Sequence, residues 1–96
     1  MGIIESYMEY IREQKRYSLR TQQLYKSAIE EYYLYIYSDV IGKKEEVHSL
    51  HPDELLEALT IPNVRNFIAN ATQGGLSARS VNLQLSALKG FCRHLL

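Results

Sequence analysis

The chain is poor in several residue types on which whole classes of protein depend. It has no tryptophan, one cysteine and two prolines among 96 residues. The single cysteine, Cys92, excludes a disulfide framework within the chain and favours a reducing, cytoplasmic location. No apolar run approaches the roughly 18 residues of a membrane span. The sequence shows no charged n-region followed by an apolar h-region, so we expect no secretory signal. We therefore expect one domain without a membrane partner.

Catalytic and ligand-binding motifs are missing as well. The sequence has no glycine-rich phosphate loop, no Ser/His/Asp set and no paired buried carboxylates. His48 and His51 suggest a metal pair, but no further cysteine, histidine or close carboxylate completes a ligand set. We expect no catalytic residue, no metal, no cofactor and no small-molecule substrate.

Helical periodicity dominates what is present, and no β-strand pattern of any length occurs. The pattern predicts an all-α bundle of four main helices plus one short helix, as a single domain over residues 1–96. Residues 38–52 are expected to form a linker. The predicted helices run from Ile3 to about Lys15, from Ser18 to about Tyr37, from Pro52 to Leu59, from Thr60 to Gly74, and from Ser77 to Leu96.

The last helix carries two stripes at helical spacing. The apolar stripe is expected to pack on the core, with Leu88 at its centre and Leu83 outside it. The polar stripe has three cations, two small hydrogen-bonding side chains and no carboxylate. This helix is still in period at Leu96, which suggests a fragment of a longer protein. The apolar stripe is Val81, Leu85, Leu88, Cys92 and Leu95, and the polar stripe is Arg79, Asn82, Ser86, Lys89 and Arg93.

Two helix starts share one signature. Ser18 and Ser77 are good N-caps, and each is followed two residues later by arginine and then by a hydroxyl residue. Arginine is disfavoured there, because a helix N-terminus carries partial positive charge, unless an anion binds the same place. The signature therefore suggests phosphate, although ordinary serine caps with solvated arginines would look the same.

Charge is segregated along a chain whose formal net charge is zero. Residues 12–29 hold five basic residues and one acid, and residues 74–96 hold three basic residues and no acid. Residues 30–60 hold eight acids and two lysines. The two positive segments contain the two Ser-x-Arg starts, which favours a polyanionic partner. Six tyrosines between Tyr17 and Tyr37 have the spacing of core or rim residues rather than of a base-stacking surface.

Three segments, in order, resemble the N-terminal SAM-like core-binding domain of tyrosine recombinases, the family of phage integrases and Xer-type enzymes. Leu76–Phe91 is similar to the family's "glySxxTvNrxLSALRxF" segment, with Leu83 where arginine is frequent. Ser18–Ile29 is similar to "SxxTlxxYxxdL", and Val64–Ile68 is similar to the helix between them. The resemblance implies a SAM-like fold that clamps double-stranded DNA through the helices starting at Ser18 and Ser77.

The resemblance also implies where chemistry lies and which residues bind. The family's catalytic residues belong to a second domain, absent from these 96 residues, so this fragment should not transfer strands. Other recombinase protomers would be partners in a synaptic complex. The acidic residues 38–60 should face away from DNA or toward a neighbouring protomer. The candidate DNA-binding residues are Ser18, Arg20, Thr21, Lys26, Ser77, Arg79, Ser80, Asn82, Ser86, Lys89 and Arg93.

Two other classes of protein are alternatives to a DNA-binding domain. A helical protein-interaction or oligomerisation module explains the helices and the zero net charge. It does not explain the doubled Ser-x-Arg start or the acid-free last helix. A small helical enzyme lacks any recognisable site. The DNA target, the direction of recombination and the mobile element are not encoded in any motif of this chain.

Overall fold

Residues 2–96 are described by a computed structural model. They form six α-helices and no strand, within dimensions of 34 × 29 × 23 Å. No helix in this range is both long and apolar enough to cross a bilayer. The helices are α1 (Ile3–Glu13), α2 (Leu19–Ile36), α3 (Lys44–Val47), α4 (Pro52–Glu57), α5 (Ile61–Gln73) and α6 (Ala78–Leu95).

Local sequence signals explain most helix boundaries. Proline stands in the first turn of α4 and of α5. A backbone N–H has no partner within the helix there, so the N–H that proline lacks costs no hydrogen bond. Thr60 caps α5 by accepting the Asn63 N–H at 3.3 Å. Between α5 and α6, Gly75 adopts a φ of 95°, a conformation that only glycine takes readily. The predicted turn at Gly74–Gly75 is thus confirmed.

Two features of the connections were not predicted. Residues 38–52, expected to be a linker, contain the one-turn helix α3, so the domain has two short helices rather than one. Arg16, which follows α1, has a φ of 55°, in the left-handed region where a side chain costs about 1 kcal/mol. Helix α3 does not follow from periodicity, because a single turn is too short to show a period. The conformation of Arg16 was not predicted because no glycine marks the end of α1.

Helix α2 lies at the centre of the core and contacts α1, α3, α5 and α6. Its Tyr32 and Tyr33 side chains are completely buried. The Tyr32 hydroxyl donates to the Ala58 carbonyl at 2.5 Å, and the Tyr33 hydroxyl donates to the Leu55 carbonyl at 2.7 Å. These carbonyls lie at the end of α4, where a helix leaves acceptors unpaired. Tyr32 and Tyr33 are core residues, as their spacing predicted, and their hydrogen bonds also hold α4 against α2. Tyr35, by contrast, is 37% exposed.

The buried face of α6 differs from the predicted one. Leu88 is buried as expected, but the other fully buried positions are Gln84, Ala87 and Phe91. Phe91 packs edge-on against Tyr7 and Tyr33, with ring centroids 5.4 and 6.1 Å away. This ring is the largest apolar group on α6, so its burial sets the rotation of the helix. Leu83 packs against the core after all. The remaining predicted positions, Val81, Leu85, Cys92 and Leu95, are only half-buried.

Two leucines one turn apart on α6 provide a matched test of this rotation. Leu88 is 3% exposed, whereas Leu85 is half-buried beside the groove between α5 and α6. Leu88→Ala should lower the free energy of unfolding by about 2–5 kcal/mol, and Leu85→Ala should lower it by clearly less. Urea denaturation followed by circular dichroism measures both. Equal losses would contradict the observed helix rotation.

The buried tyrosines predict a loss of stability at alkaline pH. Burial, with a smaller contribution from Tyr37, raises the pKa of Tyr32 to about 12, and burial also raises the pKa of Tyr33. Above pH 10 the unfolded chain releases these protons while the folded protein keeps them. Stability should therefore fall between about pH 10 and 12, by about 1.4 kcal/mol per pH unit for each such tyrosine.

Tyr32→Phe isolates one of these protons. The variant lacks the hydroxyl but keeps the ring, so its unfolding free energy should fall less steeply with pH than that of the wild type. Urea titrations at several pH values between 9 and 11 measure the two slopes. Identical slopes would show that Tyr32 ionises equally easily in both states.

Candidate nucleic-acid interface

The polar stripe of α6 lies on the face opposite the buried positions. All five of its members are exposed, and none of its three cations takes part in an ion pair within residues 2–96. The burial of Phe91 rotates α6 relative to its predicted orientation. The polar stripe therefore lies more nearly opposite the buried face than it would if the predicted apolar stripe faced the core. The face presents donors and short polar groups along the whole helix.

The two Ser-x-Arg helix starts have the same capping geometry. Ser18 Oγ accepts the Thr21 N–H at 3.2 Å and donates to Thr21 Oγ1 at 3.0 Å. Ser77 Oγ accepts the Ser80 N–H at 3.2 Å and donates to Ser80 Oγ at 3.1 Å. Neither first turn contains an acidic residue. Both predicted caps are confirmed, and Arg20 and Arg79 are exposed beside them.

The two starts do not lie together. Arg93 and Tyr17, the residue before Ser18, line the same cleft, so the end of α6 is next to the beginning of α2. Ser77 is sixteen residues from Arg93 along α6, which corresponds to roughly 24 Å at 1.5 Å per residue. The two starts are therefore separated by roughly the length of α6.

A cleft of about 570 Å³ lies between α1, α2 and α6. Lys15 enters it from the loop after α1, while Lys89 and Arg93 enter it from α6, and no acidic residue lines it. Lys15 belongs to the positive segment 12–29 but was not among the predicted DNA-binding residues. The signal available was its position three residues before the Ser18 cap. The other lining residues are Tyr7, Tyr10, Ile11, Tyr17, Tyr25, Ser86, Gly90 and His94.

Comparison with known proteins agrees with this architecture. The family model for the phage integrase N-terminal SAM-like domain matches residues 4–96. The chain belongs to this family. It is 31% identical over 90 residues to the tyrosine recombinase XerC of Bacillus licheniformis. The aligned residues make up 94% of this chain and 26% of that protein. The chain thus spans about a quarter of the length of the curated relative it matches. No solved structure matches it.

One predicted site residue of the SAM-like domain lies apart from the others. Lys26 faces a groove between α1 and α2, together with Glu5 and Glu9, and a second groove with Glu30 and Glu45. Arg12 lines the first groove and Lys44 the second, and neither groove is lined by a residue of α6. Helical spacing could place Lys26 on α2, but it could not say which side of α2 faces α6.

His48 and His51 both contact neighbouring residues of the integrase domain. His48 lies between two carboxylates, with Nδ1 2.7 Å from Glu5 and Nε2 2.6 Å from Glu30. His51 caps α4 by accepting the Asp53 N–H at 3.1 Å. In the described part of the chain, no three His, Cys, Asp or Glu residues are arranged to hold a metal ion. The acidic residues 38–60 contribute no lining residue to the cleft.

Gly90 closes the floor of the cleft and yields a test of the packing between α1 and α6. A Cβ at this position would overlap the Tyr7 hydroxyl, and the Tyr7 ring is 2% exposed. Gly90→Ala should therefore destabilise the domain by on the order of 1–3 kcal/mol, although alanine is the better helix former.

The matched background is Tyr7→Phe, which removes the overlapping oxygen. There Gly90→Ala should be nearly neutral or stabilising, and the double-mutant cycle should return the difference as an interaction energy. Urea denaturation of the four proteins measures it. An equal effect of Gly90→Ala in both backgrounds would contradict the close approach of these two groups.

Proposed function

We propose that this domain binds double-stranded DNA as the N-terminal part of a site-specific tyrosine recombinase or integrase. The observation that carries the proposal is the exposed, acid-free stripe of α6, whose cations have no ionic partner within residues 2–96. Lys and Arg side chains that neutralise phosphates supply most of the affinity for duplex DNA. Membership of the phage integrase family supports the same partner.

Individual side chains have different roles in this proposal. Arg79, Lys89 and Arg93 contact phosphates along the strand that passes α6, and phosphate contacts fix register rather than sequence. Asn82 and Ser86 lie between them on the stripe, are short, and meet a base edge or a phosphate directly or through water. Ser18, Arg20 and Thr21 form the second contact, and Ser77 and Ser80 complete the first helix start. Lys26, which lies apart from the stripe among both glutamates and basic residues, remains a predicted DNA contact.

The remaining steps of recombination belong, in this proposal, to a longer protein. Strand cleavage and exchange would be carried out by a separate catalytic domain, and this domain would hold the recombination site opposite it. Other protomers would join in the synaptic complex. The acidic residues 38–60 would face away from the DNA, in line with their absence from the lining of the basic cleft.

A second candidate function rests on an apolar groove of about 230 Å³ between α5 and α6. Val64, Leu85 and Cys92 line it, and the neighbouring Ile61 is 70% exposed. An exposed apolar groove is typical of protein-interaction surfaces. On this alternative the domain would be a helical interaction or oligomerisation module. Loss of Arg79 or Arg93, which do not line the groove, would leave its binding unchanged.

Arginine-to-glutamine substitutions at the two helix starts test the proposal. Arg20→Gln and Arg79→Gln each remove one charge and keep a long polar side chain with good helix propensity. On random duplex, we expect wild-type dissociation constants within about 10⁻⁴–10⁻⁶ M near physiological salt. Each variant should bind more weakly on every sequence. The slope of log K against log salt should shrink by about 0.9 per lost contact.

Fluorescence anisotropy with a labelled duplex over a salt series measures these slopes. The two effects should add, because the sites are far apart. Lys43→Gln, an exposed lysine in the acidic segment, is the control and should bind like the wild type. Thermal unfolding should be unchanged or slightly raised in the arginine variants, since a cation leaves a positive helix end. Wild-type affinity and slope in both would favour the interaction module.

A further inference from the structure

Three cations from two separate parts of the chain converge on the cleft between α1, α2 and α6. Lys15 belongs to the loop after α1, whereas Lys89 and Arg93 are the last two members of the α6 stripe. None of the three has an ionic partner within residues 2–96, and the cleft wall contains no carboxylate to neutralise them. Like charges gathered without a counter-charge favour binding of an anion.

The Tyr7 hydroxyl adds a neutral hydrogen-bonding group to the cleft. Tyr7 is 98% buried, being 2% exposed, and it lines the cleft with its hydroxyl against Gly90. The hydroxyls of Tyr32 and Tyr33 donate to carbonyls, whereas the Tyr7 hydroxyl has no such partner within residues 2–96 and is not fully enclosed, so it is open to the cleft. Burial raises the pKa of Tyr7 well above its usual value, so this hydroxyl stays a donor at neutral pH.

A second tyrosine extends the same arrangement. Tyr25, which is 9% exposed, also lines the cleft beside Ser86. Burial raises the pKa of the Tyr25 hydroxyl, its neighbour Tyr17 raises it further, and Ser86 opposes the shift. The cleft therefore offers three cations and several neutral hydroxyl donors. A phosphate group, with several acceptor oxygens and a negative charge, matches that set of donors.

We propose that this cleft seats one phosphodiester group of the DNA strand that passes α6. The inference rests on the proposed function, because the cleft opens beside Lys89 and Arg93, which belong to the stripe. It adds Lys15 and Tyr7 as contacts that the stripe alone does not contain. Lys15 supplies charge from the α1 side, and Tyr7 supplies a neutral hydrogen bond from the floor. A phosphate held from both sides fixes the position of the domain along the duplex.

Two substitutions separate charge from hydrogen bonding. Lys15→Gln should weaken duplex binding and reduce the salt slope by about 0.9, because one phosphate contact is lost. Tyr7→Phe should weaken binding by about tenfold with an unchanged salt slope, because a neutral donor to a charged group is lost. Its stability should be close to that of the wild type, since the hydroxyl has no protein partner. A purely structural role of Tyr7 would not change affinity in a stably folded variant.

A second experiment distinguishes a site for free phosphate from a site for the phosphates of DNA. Inorganic pyrophosphate is titrated against the isotope-labelled domain, and the backbone amide of Gly90 is followed by NMR. We expect the Gly90 signal to shift with pyrophosphate, and Lys15→Gln to weaken that binding while Lys43→Gln does not. Duplex binding is measured by anisotropy on the same proteins, so each variant has both readouts.

The possible outcomes separate this inference from the proposed function. If the duplex binds and depends on Arg79, but Lys15→Gln and Tyr7→Phe bind like the wild type, the phosphate pocket is overturned and the proposed function stands. If Lys15→Gln weakens pyrophosphate binding alone, the cleft is a site for free phosphate and its assignment to DNA is overturned. If the wild type binds no duplex, both proposals fail. If the Lys15 and Tyr7 variants lose affinity but Arg20→Gln and Arg79→Gln do not, the pocket stands and the helix-start contacts fail.

Discussion

The packing of two completely buried tyrosines of α2 constrains the rest of the domain. A buried hydroxyl without an acceptor costs about 1–3 kcal/mol, so Tyr32 and Tyr33 must each reach a carbonyl while their rings stay in the core. The acceptors are at the end of α4, which fixes that short helix against α2. Tyr33 also contacts Phe91, and Phe91 sets the rotation of α6. The direction of the proposed DNA-binding stripe therefore depends on the same tyrosine that anchors α4.

Charge is separated in space as it is along the sequence. The cleft is lined by cations without acids, whereas the groove that contains Lys26, Lys44 and His48 is also lined by glutamates from α1, α2 and α3. His48 bridges Glu5 and Glu30 and so ties the end of α3 to both of those helices. A domain with zero formal net charge can thus present a positive face, because the acids are held elsewhere. Local fields of this kind steer charged partners even when the total charge vanishes.

Sequence reasoning succeeded where the signal is local. The caps at Ser18 and Ser77, the prolines in first turns and the glycine turn before α6 each depend on a few adjacent residues. The resemblance to the SAM-like integrase domain also rested on short segments, and the family match confirms it. The helix α3 and the left-handed Arg16 were not predicted, because a single turn has no period and no glycine marks the end of α1.

The sequence by itself determined the helix content, the caps, the separation of charge and the family. Only the tertiary structure decided which side of each helix faces which neighbour. Periodicity defines a stripe on one helix, but Phe91 selects the buried face of α6 through contacts with residues distant in sequence. For the same reason Lys15 joins Lys89 and Arg93 while Lys26 faces glutamates. Contacts between distant segments depend on how large side chains pack together, and no local pattern records that.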